Sequence, residues 1–358
     1  MRMSAEHASQ NTFTPIAEIG EFGLIDRIRK VLGEVQQADD LVMGIGDDGA
    51  VYRIGRESVH VLTTDLLVEG VHFDRMVTPL EHLGFKAVSV NVSDIAAMNA
   101  RPRWVTIDLG LPASISVEMV ESLYQGIARA AKQYQVTIVG GDTSAARQLV
   151  IGVSVVGDEK EEAIVYRKGA KPGDLLCVSG DLGGAYAGLK ILMEQKRRYL
   201  EEGDAYTPDV SSFAYVIQRH LAPRARIDVV EAWKKSGVKP SSLIDISDGL
   251  ASEVHHICRA SQCGARIHAP SLPIDLQTRQ VADLFGEDVD TYALFGGEDY
   301  ELLCTLSPEQ FEQVSEGLLT VIGKITPASE GVKVDTGWGE VVELQPAGYE
   351  HFRTPKQP

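Results

Sequence analysis

Positive charge is scarce in this chain. It carries 34 Lys and Arg against 51 Asp and Glu, a net charge of −17 over 358 residues. No basic stripe runs along it, which argues against nucleic acid and against an anionic membrane surface as partners. Long apolar runs are missing too: no stretch approaches the roughly 18 residues of a membrane span. Cysteine is sparse. Cys177, Cys258, Cys263 and Cys304 form no CxxC and show no zinc spacing, so they read as buried free thiols of a reducing cytoplasm. No Gly-Lys-Ser/Thr exists anywhere, and Gly183 to Lys190 is the nearest miss to a phosphate-binding P-loop. The polar opening residues lack the apolar centre of a signal peptide, and residues 1 to 15 are expected to be a loose tail.

What is present is acid beside glycine. Gly44-Ile45-Gly46-Asp47-Asp48-Gly49 is followed by Asp65 in Leu62-Thr63-Thr64-Asp65. The three glycines satisfy G-x-G-x-x-G, with an acid about 20 residues on, as in a dinucleotide fingerprint. Two physical points oppose that reading. A fingerprint opens a helix whose N-terminus faces pyrophosphate, yet Ala50 to Ile54 and Val59 to Leu62 read as strands. Asp47 and Asp48 would also face pyrophosphate with no cation between. A cation-binding turn fits better; a plain surface turn between strands is the competitor.

Elements follow in mixed order, pointing to α/β or α+β layers. An amphipathic helix is expected from Glu21 to about Leu32, and helices over 80–99, 116–134 and 226–235. Strands are expected over 103–109, 136–139, 149–156, 175–178 and 301–306, near 318–323 and near 340–344. Gly157 to Glu162 reads as an exposed, charged link. It places the domain boundary between a first domain, 16–158, and a second α/β domain, 165–358. Residues 194–210 read as a charged surface excursion.

Seven acids recur at the ends of apolar runs or beside glycine: Asp47, Asp48, Asp65, Asp94, Asp142, Asp245 and Asp248. Strand ends deliver side chains to a cleft. Mg²⁺ is held by one or two carboxylates, waters and substrate phosphate oxygens, so acids on separate loops suit several Mg²⁺ ions on a polyphosphate. Taken singly, Asp94 and Asp248 could be helix N-caps, and Asp142 in Gly140-Gly141-Asp142-Thr143 an ordinary turn residue. His72 alone would more often be a structural histidine.

Several motifs occur together in order. They are Glu21-Phe22-Gly23-Leu24-Ile25, the Gly44–Asp48 turn, Thr63-Thr64-Asp65, Gly70-Val71-His72-Phe73 and Asn91-Val92-Ser93-Asp94-Ile95-Ala96-Ala97-Met98. Gly140-Gly141-Asp142-Thr143, Asp245-Ile246-Ser247-Asp248-Gly249 and Gly296-Gly297-Glu298-Asp299-Tyr300-Glu301-Leu302 follow. The ordered set, from about 18 to 353, resembles the thiamine-monophosphate kinase family of the aminoimidazole ribonucleotide synthetase-like superfamily. The resemblance implies a two-domain α/β fold and a homodimer whose N-terminal domains share a β-barrel. It implies a phosphotransferase with a phosphate group as acceptor: ATP is co-substrate, and thiamine monophosphate becomes thiamine diphosphate. By the same resemblance Asp48, Thr63, Thr64, Asp65, Asp94, Asp142, Asp245 and Asp248 are metal ligands. Gly141, Asp142, Arg167 and Ser247 meet ATP, and His72, Glu298 and Tyr349 meet the thiamine part. Asp47 matches the motif without a defined role.

The chemistry is consistent with that implication. A phosphomonoester has its second pKa near about 6 and is mostly ionised at neutral pH, so no general base is required. Direct in-line transfer by positioning and charge neutralisation fits. Two other readings stay open: another ATP-dependent synthetase of the superfamily, and a non-catalytic Mg-ATP-binding protein. A selenophosphate synthetase would want a reactive N-terminal cysteine, and none precedes Cys177; a hydrogenase-maturation relative would want a C-terminal one, and the last is Cys304.

Overall fold

The computed structural model describes residues 14, 16–33, 38–337 and 339–346. The expected tail 1–15 lies outside them apart from Thr14, and Tyr349 lies outside them too. The chain forms two compact units, 1–38 with 350–358, and 39–349. Of the first unit, the structure describes α1 (Ile16–Leu32), interrupted where Gly20 leaves helical conformation at φ 65°. The segment from Glu21 onward is the expected helix, and one more turn precedes it.

The second unit holds two sheets. The first contains β1 (Leu41–Met43), β2 (Ala50–Arg53), β3 (Ser58–Val68), then, after α2 (Leu80–Ala97), β4 (Arg101–Leu111). After α3 (Val117–Tyr134) come β5 (Thr137–Ala145) and β6 (Val150–Lys160), and the spatial order is β1-β2-β3-β6-β4-β5. β3 and β6 pair antiparallel from Ser58↔Lys160 to Val68↔Val150. Alternation decides the faces: Val59, Val61, Val105, Ile107, Ile151 and Val153 point to a core with α2 and α3, while Leu62, Leu66, Trp104, Ile138 and Val139 stay exposed.

After β7 (Leu175–Val178) the chain runs α4 (Gly184–Glu202), α5 (Ala214–Leu221), α6 (Ile227–Lys235) and β8 (Ser242–Asp245). Then follow α7 (Leu250–Ser261), β9 (Cys263–His268), α8 (Leu276–Phe285), α9 (Val289–Phe295) and β10 (Leu302–Leu306). The last elements are α10 (Pro308–Phe311), β11 (Thr320–Pro327), β12 (Val332–Asp335) and β13 (Val341–Glu343). The second sheet has the order β13-β12-β9-β11-β7-β10-β8. Its strands β7, β8 and β10 share a core with α6 and with Ala96 and Ala97 of α2.

Several expectations need correction. Asp65 does not end a strand; β3 runs on to Val68. Gly140-Gly141-Asp142-Thr143 is not a turn but the interior of β5, which pairs parallel to β4 through Asp108↔Asp142. Gly140 and Gly141 misled the reading. Gly141 is needed for close approach: at φ 153° a Cβ would lie 1.8 Å from the Ile107 carbonyl oxygen. The expected link at 157–162 is mostly strand, because β6 continues to Lys160. The excursion begins later than 194. α4 carries through to Glu202, stapled by Arg197 to Glu194 and Glu201 and by Arg198 to Glu202. β9 and β12 were not foreseen.

α2 is buried nearly all round, from Leu83 to Ala97, with Asp94 facing the cleft. It crosses α3 at two reciprocal glycines. A Cβ on Gly84 would lie 2.0 Å from the Leu123 carbonyl oxygen, and one on Gly126 would lie 1.8 Å from that of Glu81. Backbone meets backbone there, so no side chain can move aside. Gly126→Ala is therefore expected to force the helices apart and cost about 1–3 kcal/mol. A thermal melt checks this; an unchanged midpoint would contradict the crossing.

Candidate active site

Three acids converge from three places. Asp48 comes from the turn between β1 and β2, Asp94 from the last turn of α2, and Asp245 from the end of β8. Carboxylate oxygens of the three lie within 4.8 Å of one another. Asp94 sits inside a helix and Gly249, not Asp248, occupies the cap position of α7; neither acid is an N-cap. No helix follows the Gly44–Gly49 turn, so the dinucleotide fingerprint is excluded on geometry.

Each of the three acids has a donor of its own. Thr63 Oγ1 donates to Asp94 Oδ2 at 2.5 Å, and Ser93 Oγ donates to Asp245 Oδ2 at 2.5 Å. Arg167 donates to Asp48 Oδ1 through Nε at 3.2 Å and through Nη2. Asp47 is turned away to accept from its neighbour Asp48 N at 3.1 Å and from Arg167 N at 3.3 Å. It thus pins the irregular segment between β6 and β7 that carries Arg167. Asp48 Oδ2 is buried with no hydrogen-bond partner.

Burial and mutual repulsion shift these groups. Asp245 is pushed up to about 7, first by burial and then by the charge of Asp48, against the pull of Ser93. Asp94 is raised well above the carboxylate range by burial and by Asp65, Asp245 and Asp48. Asp65, on β3 two residues beyond Thr63, rises to about 6 through burial and Asp48. Asp47 rises to about 7 for the same two reasons, with Arg167 opposing. One guanidinium does not neutralise this many acids. An orphaned buried oxygen and several hard oxygen donors that resist joint ionisation are the environment a divalent cation such as Mg²⁺ fits.

The other expected residues spread around this centre. Asp142 stands on β5 beside Asp108 of β4, and both line an open cleft of about 410 Å³ with Thr64, Asp65 and Ser144. Asp142 is thus outside the close trio, as is Asp248, which follows Asp245 by three residues. The Thr64 hydroxyl donates to the Val153 carbonyl at 3.1 Å and accepts from Ser154 Oγ at 3.0 Å, so its side chain is engaged on the sheet. His72 lies on the loop after β3, its Nδ1 accepting from Val68 N at 3.0 Å. Ser247 accepts from Glu298 N at 2.7 Å, which brings Glu298 to the segment after β8.

Some participants were not foreseen. Arg167 as the partner of Asp48 is one; 119 residues separate them. Asp108 is another, visible only through strand register. Glu253, on the first turn of α7, accepts from Asp248 N at 3.0 Å and supports the Ser247–Gly249 turn from behind. Its spacing from Ser247-Asp248-Gly249 was the available signal. Tyr300 sits where the charges of Glu298, Asp65, Asp245 and Asp94 all reach it, and burial with those charges raises its phenol well above the usual value.

Comparison with known proteins agrees with this layout. Residues 46–158 match the family model of the AIR synthase related protein N-terminal domain, and residues 171–338 match that of the C-terminal domain. The chain is 39% identical over 337 residues to a thiamine-monophosphate kinase of Aquifex aeolicus, covering 94% of this chain and 99% of that one. It is 38% identical over 348 residues to one of Escherichia coli K12, again covering 94% and 99%. The solved structure of AaThiL complexed with AMPPCP and TMP superposes with a TM-score of 0.80 at 38% identity, covering 95% of this chain and 99% of that one. Hydrogenase maturation proteins HypE share the fold alone, at 20% identity and a TM-score of 0.65. With the mixed α/β fold, the ordered motifs and near-full-length identity in agreement, the chain belongs to the thiamine-monophosphate kinase family of the AIR synthase related proteins.

Proposed function

We propose that this protein phosphorylates thiamine monophosphate to thiamine diphosphate with ATP, by direct in-line transfer assisted by several Mg²⁺ ions. The observation that carries the proposal is the convergence of Asp48, Asp94 and Asp245, with the orphaned Asp48 Oδ2, in a chain of this family. Asp48, Asp65, Asp94, Asp245 and Asp248 would hold Mg²⁺, with Asp142 and the Thr63–Thr64 segment at the side of the cleft. Bound Mg²⁺ supplies the positive charge that lets two polyanions approach and that offsets charge on the transferring group. Thr63, Ser93 and Arg167 fix the orientation of three of the acids. Gly141, Asp142, Arg167 and Ser247 would meet ATP; His72, Glu298 and Tyr349 would meet the thiamine part. No side chain is asked to remove a proton, since the attacking phosphate oxygen is already ionised.

The assembly reading is part of the same proposal. The outer face of the first sheet leaves Leu62, Leu66 and Trp104 exposed, and all nine residues of the edge strand β5 are exposed, Ile138 and Val139 among them. Such an apolar, hydrogen-bonded face needs a cover, and a second copy closing a shared β-barrel supplies one. Two domains, 16–158 and 165–358, are part of this reading; the matched family models span 46–158 and 171–338. No helix among the described residues is long and apolar enough to cross a membrane. Four buried free thiols suit a reducing compartment, and we infer the cytoplasm.

Three outcomes are expected. Incubated with ATP and Mg²⁺, the protein should form ADP and a diphosphate ester only when thiamine monophosphate is present, as read by phosphorus NMR over a panel of phosphomonoesters. Asp94→Asn, folded by circular dichroism, should lose about 100-fold or more in kcat; a parental rate across a magnesium titration would sink the metal site. Leu66→Arg should shift the protein from dimer to monomer in sedimentation velocity, and an unaltered dimer would refute the shared barrel.

A further inference from the structure

Gly296 to Glu301 joins α9 to β10, and its side chains divide by position. Asp299 turns into the scaffold and accepts from Gly183 N at 2.8 Å and Ala185 N at 3.3 Å, at the start of α4. Glu301 is buried as well. It accepts from Ser179 Oγ at 2.6 Å, Arg219 Nη1 at 2.9 Å and Arg226 Nη1 at 2.5 Å. The alternate residues, Glu298 and Tyr300, have left-handed backbones at φ 57° and 51°. Glu298 N donates to Ser247 O at 2.7 Å and Tyr300 N to Ile246 O at 2.8 Å. A non-glycine residue keeps such a conformation only where its surroundings over-determine it, and that strain collects at functional sites.

Glu298 is ion-paired at one oxygen, and at the other stands a buried histidine nitrogen that makes no hydrogen bond. Lys86 Nζ lies 2.7 Å from Oε1, and His220 Nδ1 lies 3.2 Å from Oε2. The Lys86 side chain is 2% exposed and that of His220 6%, whereas that of Glu298 keeps 29%. A buried ammonium is costly unless paired, so Lys86 is not there for solubility. Burial works against the Glu298 charge, yet Lys86 and His220 hold the carboxyl well below the usual range. Burial and then Lys86 lower the His220 imidazole from its usual value, with Glu298 opposing. Lys86 stands eight residues before Asp94 on α2. At 1.5 Å rise per residue the helix sets about 12 Å between them along its axis.

We propose that Lys86 and His220 are positioning residues for the acceptor: the ion pair at one oxygen of Glu298 and the close approach of His220 at the other form a clamp that fixes its open edge as an acceptor for the nitrogen-bearing rings of the substrate. α2 thereby carries the acceptor seat and a metal-binding acid on one rigid rod. This rests on the reading of Glu298 given under the proposed function. Neither residue touches the reacting phosphates, so the clamp acts on acceptor binding and leaves nucleotide binding alone.

Steady-state kinetics of the full-length enzyme with ATP, Mg²⁺ and thiamine monophosphate test it. Lys86→Met and His220→Leu should each raise KM for thiamine monophosphate about tenfold or more, the loss of one polar contact to a charged group. kcat and the KM for ATP should stay near parental values. His220→Asn, which keeps a polar group near the Nδ1 position, should recover most of the loss. In a Glu298→Gln background, Lys86→Met should add nothing. An unmoved KM in both variants overturns the clamp, as does a parallel rise for both substrates without recovery by His220→Asn. If Lys86→Met does not fold, the His220 pair decides alone. A parental enzyme inert toward thiamine monophosphate overturns the function itself; an active parent with unmoved variants overturns only the clamp.

Discussion

Electrostatic repulsion at one point governs this structure. Oxygens of Asp48, Asp94 and Asp245 gather within 4.8 Å. At that distance two unit charges repel by roughly 3 kcal/mol in an effective dielectric near 20. The fold does not avoid the clash; it holds the acids in it. Thr63, Ser93 and Arg167 each serve one acid, which orients the carboxylates without discharging the group. Burial first, and repulsion by neighbouring acids second, raise the pKa values of Asp94, Asp245, Asp65 and Asp47. A bound cation would take up that charge, so the repulsion held in the cluster would become affinity for metal.

Holding repelling groups together requires a stiff frame. α2 provides it by being buried among the first sheet, α3 and the core around β8. The glycine crossing with α3 brings backbones into contact, leaving no compliant side chains between the helices. Two polar groups inside find partners, as Ser89 meets Tyr134 OH at 2.9 Å and Asn91 Nδ2 donates to Ala87 O at 3.0 Å, while Asn91 Oδ1 is buried without one. Asn99, left-handed at φ 57° just after the helix, accepts from Trp233 Nε1 at 2.9 Å and donates to the Ala163 carbonyl at 2.7 Å. One residue there ties α2, α6 and the segment after β6.

The sequence made much of this legible, and its failures have identifiable causes. Apolar patterning located α2, α3 and α6 nearly to the residue; α3 and α6 bury one face, and α2 is buried nearly all round. Short apolar runs located β7 and β10, which are buried almost throughout, and β2. Reading failed where a residue's usual habit was overridden. Gly140 and Gly141 suggested a turn, yet they lie in β5, where Gly141 lets the backbone pass the Ile107 carbonyl. Charge at 194–202 suggested an excursion, yet the ions staple a helix. Acids such as Asp48 and Asp245 could be marked as site residues from local context alone. Their convergence could not, since it depends on a strand end and a turn almost 200 residues apart. Arg167 opposite Asp48 and Asp108 beside Asp142 were hidden for that reason.

On the proposed function, rigidity takes the place of acid–base chemistry. The nucleophilic oxygen is ionised before it binds, so the remaining barrier is the approach and alignment of two anions. Affinity alone does not lower that barrier; fixed spacing does. Asp94 and Lys86 share α2, and Asp245 and Ser247 flank the end of β8, where Ser247 accepts from Glu298 N. The acceptor-side carboxylate and the acid trio are thus mounted on the same helix and the same strand end. A change in the position of one element would move both ends of the reaction together, and their separation would survive it. That common mounting explains why a site with no P-loop lysine invests so many buried polar contacts in α2 and in the segment from Gly296 to Glu301.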